Sequence, residues 1–209
     1  MRRMSLLSNG LLIVALIGLV ALPALAQAPA PQGTPTRVRG TVDKLDGKTL
    51  TVKSRDGQPV AVTLADDVSV IALVKKTLDD IKPGDFVVST GIKDKDGKIH
   101  AIEVRILAKP LPDGGRQFPW DLSPDSVMTN ATVGTVTDTP NGPLVHVTFT
   151  GGESEYTIGP EVPILAGADG DNSLLTPGKA VFVVAKKGDD GKFTSLRIYV
   201  EKDGVKPPM

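Results

Sequence analysis

The chain repeats itself at long range. Pro83-Gly84 recurs as Pro177-Gly178, Asp96-Gly97-Lys98 as Asp190-Gly191-Lys192, and Gly40-Thr41-Val42 as Gly134-Thr135-Val136, always 94 residues apart. Val68/Val162 and Val87/Val181 keep the interval. Such constancy points to a tandem duplication, and two copies are too few for a solenoid, which needs at least three stacked units. Each copy is therefore expected to fold as a small domain around its own core.

Within the first copy the signals are short strands separated by turns. Val38, Gly40 and Val42 alternate with polar residues, Asp46-Gly47 turns into Thr49–Val52, and Asp56-Gly57 turns into Val60–Leu64. Asp-Gly between alternating segments is a hairpin signal, because the turn needs a positive φ that glycine takes without steric cost. Val68–Leu73 follows. Thr77 then caps a single helical turn over Leu78 and Ile81, Pro83-Gly84 ends it, and two more strands cover Asp85–Ile92 and Ile99–Leu107. Three strands, a helical plug and two strands is the order of an OB-type Greek-key barrel. Another small closed barrel such as an SH3-like one has similar signals, and the position of the plug favours OB. The expectation is all-β: two tandem five-stranded OB-like barrels, each with a short helical turn, after an N-terminal signal helix.

Arg2 and Arg3 precede an uncharged stretch from Met4 to Ala26, closed by Pro23 and the small residues of Ala24-Leu25-Ala26. That is the pattern of a secretory signal cleaved before Gln27. An uncleaved anchor is the rival reading, and the short apolar heart and the cleavage site fit it less well. Gln27–Pro35 is uncharged and rich in Pro and Ala, an extended tether. The domain reading is thus 1–26 signal peptide, 27–36 tether, 37–109 barrel 1, 110–131 linker and 132–209 barrel 2. The implied location is periplasmic or otherwise exported, with no membrane contact after cleavage. The chain has no cysteine, so in an oxidising compartment its barrels are stabilised by apolar cores alone.

The segments GTVDKLDGKTLTVKSRDGQPVAVTL, DIKPGD, FPWDLSPDSVMTNATVGTV and DGVKPPM resemble an uncharacterised family of exported bacterial proteins with an OB-like domain of unknown function. Some members of that family carry the label of metal ABC transporter permease. Beyond Gln27 this sequence has no apolar run of the roughly 18 residues a spanning helix needs, so the label implies nothing here. In the family the linker before Trp-Asp is richer in Gly, Glu and His. Here Gly114–Asp121 holds neither His nor Glu, which weakens a ligand role for that loop.

Several function classes are disfavoured. Charges balance at 24 basic and 24 acidic, and the first copy has one aromatic, Phe86, so the positive groove and stacking platforms of a nucleic-acid site are missing. Asp94, Asp96 and Glu103 match part of an EF-hand loop, but Ile92 stands where its first ligand belongs. His100 and His146 do not correspond under the 94-residue interval and read as solvent-facing strand residues. No nucleophile elbow or phosphate-cradling loop is present. An envelope hydrolase would require a convergent polar cluster in a real pocket.

The linker contains Phe118 and the only tryptophan, Trp120, followed by Asp121. These three form the candidate partner-binding surface, read either as a docked clasp between the barrels or as an exposed anchor. The expected function is a non-catalytic binding or structural module of the cell envelope, without a cofactor, acting on an envelope protein or small ligand at the inter-barrel cleft and linker. The alternative is a periplasmic carrier of a small ligand or divalent cation, with Asp94, Asp96 and Glu103 as its metal site.

Overall fold

A computed structural model describes residues 33–207; the signal segment lies outside the described residues. Twelve strands account for most of it: β1 (Thr34–Asp46), β2 (Thr49–Ser54), β3 (Pro59–Lys76), β4 (Phe86–Lys93), β5 (Ile99–Leu107), β6 (Arg116–Pro119), β7 (Ser126–Thr137), β8 (Leu144–Phe149), β9 (Gly152–Thr157), β10 (Ile164–Gly170), β11 (Ala180–Lys187) and β12 (Phe193–Val200). The helical content is two single 3-10 turns, Leu78–Asp80 and Asn172–Leu174. The all-β expectation therefore holds, as do the plugs. Thr77 donates its backbone N–H and its hydroxyl to Asp80 Oδ2, at 2.8 and 3.0 Å, and so closes the first plug. Among the described residues no helix is long and apolar enough to cross a membrane.

β1, β2, β3, β12 and β11 form a closed five-stranded barrel. The neighbours are antiparallel except β3 and β12, which run parallel and complete the ring through Phe193↔Val62, Thr194↔Thr63 and Ser195↔Leu64. Its core is almost wholly aliphatic and draws on both halves of the chain: Val42, Leu50, Val52, Val62 and Leu64 meet Leu175, Val181, Val183, Ile198 and Val200. The alternation of Leu50 and Val52 with exposed or half-buried neighbours is what lets β2 line this core with one face.

The remaining strands pair on the same plan. β7, β8, β9, β5 and β4 follow one another in a ring, with β5 parallel to β9 through Ile99↔Tyr156 and His100↔Thr157. Their core contains Val87, Ala101, Val104, Val133, Val145, Val147 and Tyr156, together with Ile81 from the first plug. Neither 37–109 nor 132–209 closes on itself among the described pairings. β1–β3 find their closing strands in β11 and β12, and β7–β9 find theirs in β4 and β5.

The crossover runs through β3 and β10. β3 is a single strand of 18 residues, although its polar Asp66-Asp67 reads as a break in the sequence. Its second half parts from β2, stays beside β12 from Ser69 to Ala72, and pairs antiparallel with β10, from Val70↔Gly170 to Lys76↔Ile164, with Leu73 opposite Gly167 at the centre. Positions 94 apart thus pair reciprocally about a local two-fold. The parallel neighbours obey the same exchange: Ile198 lies opposite Val70, and Val104 opposite Ile164.

Register also revises one sequence match. From β3 onward the interval is 94, but between β1 and β7 it is 91, since Val181 faces Gly40 whereas Val87 faces Ala131, and between β2 and β8 it is 95, since Thr49 faces Thr63 whereas Leu144 faces Thr157. The bulges agree, following Val42 in β1 and Val133 in β7. Gly40-Thr41-Val42 and Gly134-Thr135-Val136 therefore share letters without sharing places. Two further segments differ from expectation. β1 begins at Thr34, inside the stretch read as tether, because Thr34–Thr36 pair with Ala185–Lys187. Within the linker, β6 pairs with the start of β7. Ser126 Oγ lies 2.9 Å from the Trp120 carbonyl and 2.7 Å from that of Ser123, which braces the turn between β6 and β7 where composition suggests a loop.

Candidate functional site

The β4–β5 hairpin is held by Asp94. Its Oδ1 accepts from the backbone N–H of Asp96 and of Lys98, both at 2.9 Å, and Gly97 takes φ +80° to complete the turn. This leaves Oδ2 for His100 Nε2, at 3.0 Å. The parallel pairing of β5 with β9 then sets Thr157 beside the same ring, with its Oγ1 2.9 Å from His100 Nδ1. A hydroxyl, an imidazole and a carboxylate are thereby linked in a row. The His100 hydrogen bond is the largest influence on Asp94 and, with the backbone donors of Lys98 and Asp96, holds its carboxyl below the ordinary value against the opposing effect of burial.

A cleft of about 700 Å³ opens over this row. One wall is the hairpin, another is the 138–143 loop with Thr139 and Asn141, and the floor is β9. Gln117, from β6, completes it. Its amide Nε2 donates to Thr129 Oγ1 and Ser154 Oγ, both at 2.9 Å, which fixes the side chain at the cleft rim. The volume is within the roughly 300–1,000 Å³ typical of small-molecule sites.

The residues singled out from sequence fall in three places. Asp94 and Asp96 border the cleft, but Glu103 does not join them. It is buried, with an oxygen 2.7 Å from Arg105 Nε. Burial pushes Glu103 upward, opposed by the charge and hydrogen bond of Arg105. Among the described residues no group of three His, Cys, Asp or Glu side chains is arranged to hold a metal ion. His146 lies apart from His100, 3.4 Å from Glu153.

Phe118, Trp120 and Asp121 form a clasp. Trp120 is half-buried against Phe182, with ring centres 6.4 Å apart, and Phe118 meets it edge-on at 5.9 Å. The Arg37 guanidinium sits 4.0 Å above the indole, and Arg39 lies over Phe182 at 4.7 Å. Asp121 receives Arg39 through two bonds, of 2.8 and 3.0 Å, and Arg37 approaches it at 3.5 Å. Burial pulls the Asp121 carboxyl upward, but the Arg39 hydrogen bond and the two guanidinium charges outweigh it and leave the group below its ordinary value. The linker is thus packed onto the outside of the first barrel, with its aromatic faces already occupied.

His100, Thr157 and Gln117 escaped the sequence reading as a group. The proximity of Asp94 and His100 follows from the hairpin and was legible; contact between His100 and Thr157 depends on a parallel pairing 57 residues distant, which no local pattern announces. No family model matches the chain, and neither a curated protein nor a solved structure matches it.

Proposed function

We propose that the protein is an exported, non-catalytic binding module of the cell envelope, composed of two OB-like barrels that have exchanged their last two strands. Export rests on the Arg2–Ala26 pattern. The exchange accounts for the reciprocal pairing of β3 with β10 and for a core assembled from both halves. The observation that carries the function is the location of the cleft. In OB barrels ligands are bound on the face of the second and third strands, between the loop joining strands one and two and the loop joining strands four and five. In the ring of β7, β8, β9, β4 and β5 those parts are β8 and β9, the 138–143 loop and the 94–98 turn, and they border the cleft. The ring thus matches an OB barrel in architecture. The polar lining adds a chemical likeness, since convergent hydrogen-bonding groups in a concavity are what binding sites share.

The linker has a structural part in this proposal: Trp120 ties the second ring to the first barrel. A screen of small polar fragments by ligand-observed NMR tests the reading. Hits on the wild-type chain should disappear in Thr157→Trp, which fills the cleft, and persist in Trp120→Ala. Hits indifferent to Thr157→Trp would remove the cleft as the site.

A second reading has one specific observation behind it. The Thr157–His100–Asp94 row has the order of a nucleophile, base and orienting acid. Exposure of the His100 side chain at 55% favours binding over a water-excluding catalytic site. Steady hydrolysis of p-nitrophenyl acetate that vanishes in both His100→Ala and Thr157→Val would replace the binding module with a hydrolase.

A further inference from the structure

We infer that the cleft takes an uncharged, hydroxyl-rich oligosaccharide, an inference that rests on the binding function proposed above. The cleft leaves a set of hydrogen-bonding groups unspent. Gln117 uses both amide hydrogens on Thr129 and Ser154, while its Oε1 has no partner among the described residues. Ser154 accepts from Gln117 and keeps its own O–H for a ligand. The side chains of Asn141 and Glu155 border the cleft and make no hydrogen bond among the described residues. A fixed amide oxygen, a carboxylate, a free amide and a hydroxyl form an acceptor-rich but mixed set. Sugar hydroxyls, each both donor and acceptor, complement it, and a carboxylate accepting from O–H makes one of the stronger hydrogen bonds.

Charge and shape exclude the other usual OB ligands. Three carboxylates, Asp94, Asp96 and Glu155, border the cleft against two lysines, Lys93 and Lys98, so a phosphate chain gains no net attraction. The only Phe, Tyr or Trp among the lining residues is Tyr156, which is 1% exposed and cannot stack on a base; the one exposed ring is the small imidazole of His100. The same deficit removes a stacking platform for a sugar ring and makes weak affinity the expectation.

The first barrel supplies an internal control. Its corresponding face holds a hollow of about 440 Å³ lined by residues such as Val60, Lys192 and Phe193. The positions equivalent to Asp94, His100 and Thr157 are Gly188, Thr194 and Thr63. The connection matching the 138–143 loop is the two-residue turn Gly47-Lys48. That face lacks the loop wall and the amide, and should bind no sugar.

NMR titration of the chain with the N-acetylglucosamine tetramer, cellotetraose, an octathymidylate and inorganic phosphate tests the inference. At least one tetrasaccharide should shift the His100 ring and the Gln117 side-chain amide, with a Kd of about 10⁻⁴ to 10⁻³ M. Glu155→Ala, an exposed change that spares folding, should weaken it about tenfold, as should Gln117→Ala, whereas Thr194→Ala should not. Shifts from the octathymidylate or phosphate alone would overturn the sugar assignment while leaving the cleft a binding site. Sugar shifts unaffected by both substitutions would also overturn it, as would silence from both sugars. The fragment screen against Thr157→Trp separately decides whether the cleft binds anything.

Discussion

Val62 and Val183 line the first barrel; the residues 94 positions away in the second ring are Tyr156 and Ser89, both buried. One plan has therefore been filled in two ways, with two branched aliphatics in one place and a large ring beside a small hydroxyl in the other. The exchange of volume across facing positions keeps each interior packed, as close-packed cores require. A second contrast lies where the rings join. Glu103 and Arg105 are a buried ion pair on β5, while their counterparts on β12 are exposed Arg197 and buried Tyr199. Arg105 stacks on Tyr199 at 4.7 Å, so it meets its own counterpart across the local two-fold. The third contrast is the loop that gives the second ring its cleft. Taken together, the first barrel has the plainer interior, with Ser195 as its buried polar side chain, and the short turn, whereas the second ring carries the buried ion pair, Ser89 and the cleft.

The ion pair is where this contrast is most easily broken. Arg105→Met leaves the Glu103 carboxylate buried without its partner and should cost about 3–5 kcal/mol. Adding Glu103→Leu removes the stranded charge and should recover most of the loss, because a well-packed apolar pair often matches a buried ion pair. Urea unfolding of the two variants measures both. A single variant that loses less than about 1 kcal/mol would mean that water reaches the pair.

Tyr156 offers a pH test confined to the second ring. Burial pushes its hydroxyl up to about 12, with Ser89 acting in the opposite sense. The unfolded chain releases this proton near pH 10, and the folded chain retains it. Stability should therefore be unaffected by this group below pH 10 and fall by about 1.4 kcal/mol per pH unit from about 10 to 12. Tyr156→Phe should flatten that part of a urea-midpoint profile measured from pH 9 to 12. Val62, at the matching place in the first barrel, has no such dependence.

Much of this architecture was legible residue by residue. The Asp-Gly turns, the alternation in β2 and the Thr77 plug are local effects, and the sequence exposes them. Partner choice is different. β3 carries the same pattern whether β5 or β12 lies beside it, since counterparts 94 residues apart present similar faces, and periodicity cannot distinguish a contiguous barrel from an exchanged one. The site divided in the same way. Asp94 and Asp96 announced themselves through the hairpin, but Glu103 followed them only in an apparent calcium loop, and its position on β5 sends it to the interior beside Arg105. Trp120 was visible as an unusual residue; that two arginines from β1 would cover it was not.

The clasp tests whether the two rings depend on each other. Trp120→Ala removes its edge contact with Phe182 and the cation–π contact with Arg37, and should cost about 2 kcal/mol for a half-buried ring. Urea unfolding followed by circular dichroism gives the loss. An unchanged midpoint would mean that the linker only rests on the first barrel.

The smallest effect should come from the Asp94–His100 bond, and it is the one that singles out the cleft. Asp94 is held below its ordinary value chiefly by His100, so its stabilising contribution is present above the unfolded-state value and is lost as the pH falls through the folded one. His100→Ala should raise the Asp94 titration midpoint toward the ordinary carboxylate range, read by NMR of the side-chain carboxyl, while leaving the urea midpoint essentially in place because the site is exposed. Asp190, in the matching turn of the first barrel, is held low by Lys192 through backbone and side-chain hydrogen bonds and should not respond. If Asp94 keeps its low midpoint without the imidazole, the backbone donors of Asp96 and Lys98 suffice to hold it. The two turns would then be electrostatically alike, and the distinction between the two faces would rest on the 138–143 loop and Gln117 alone.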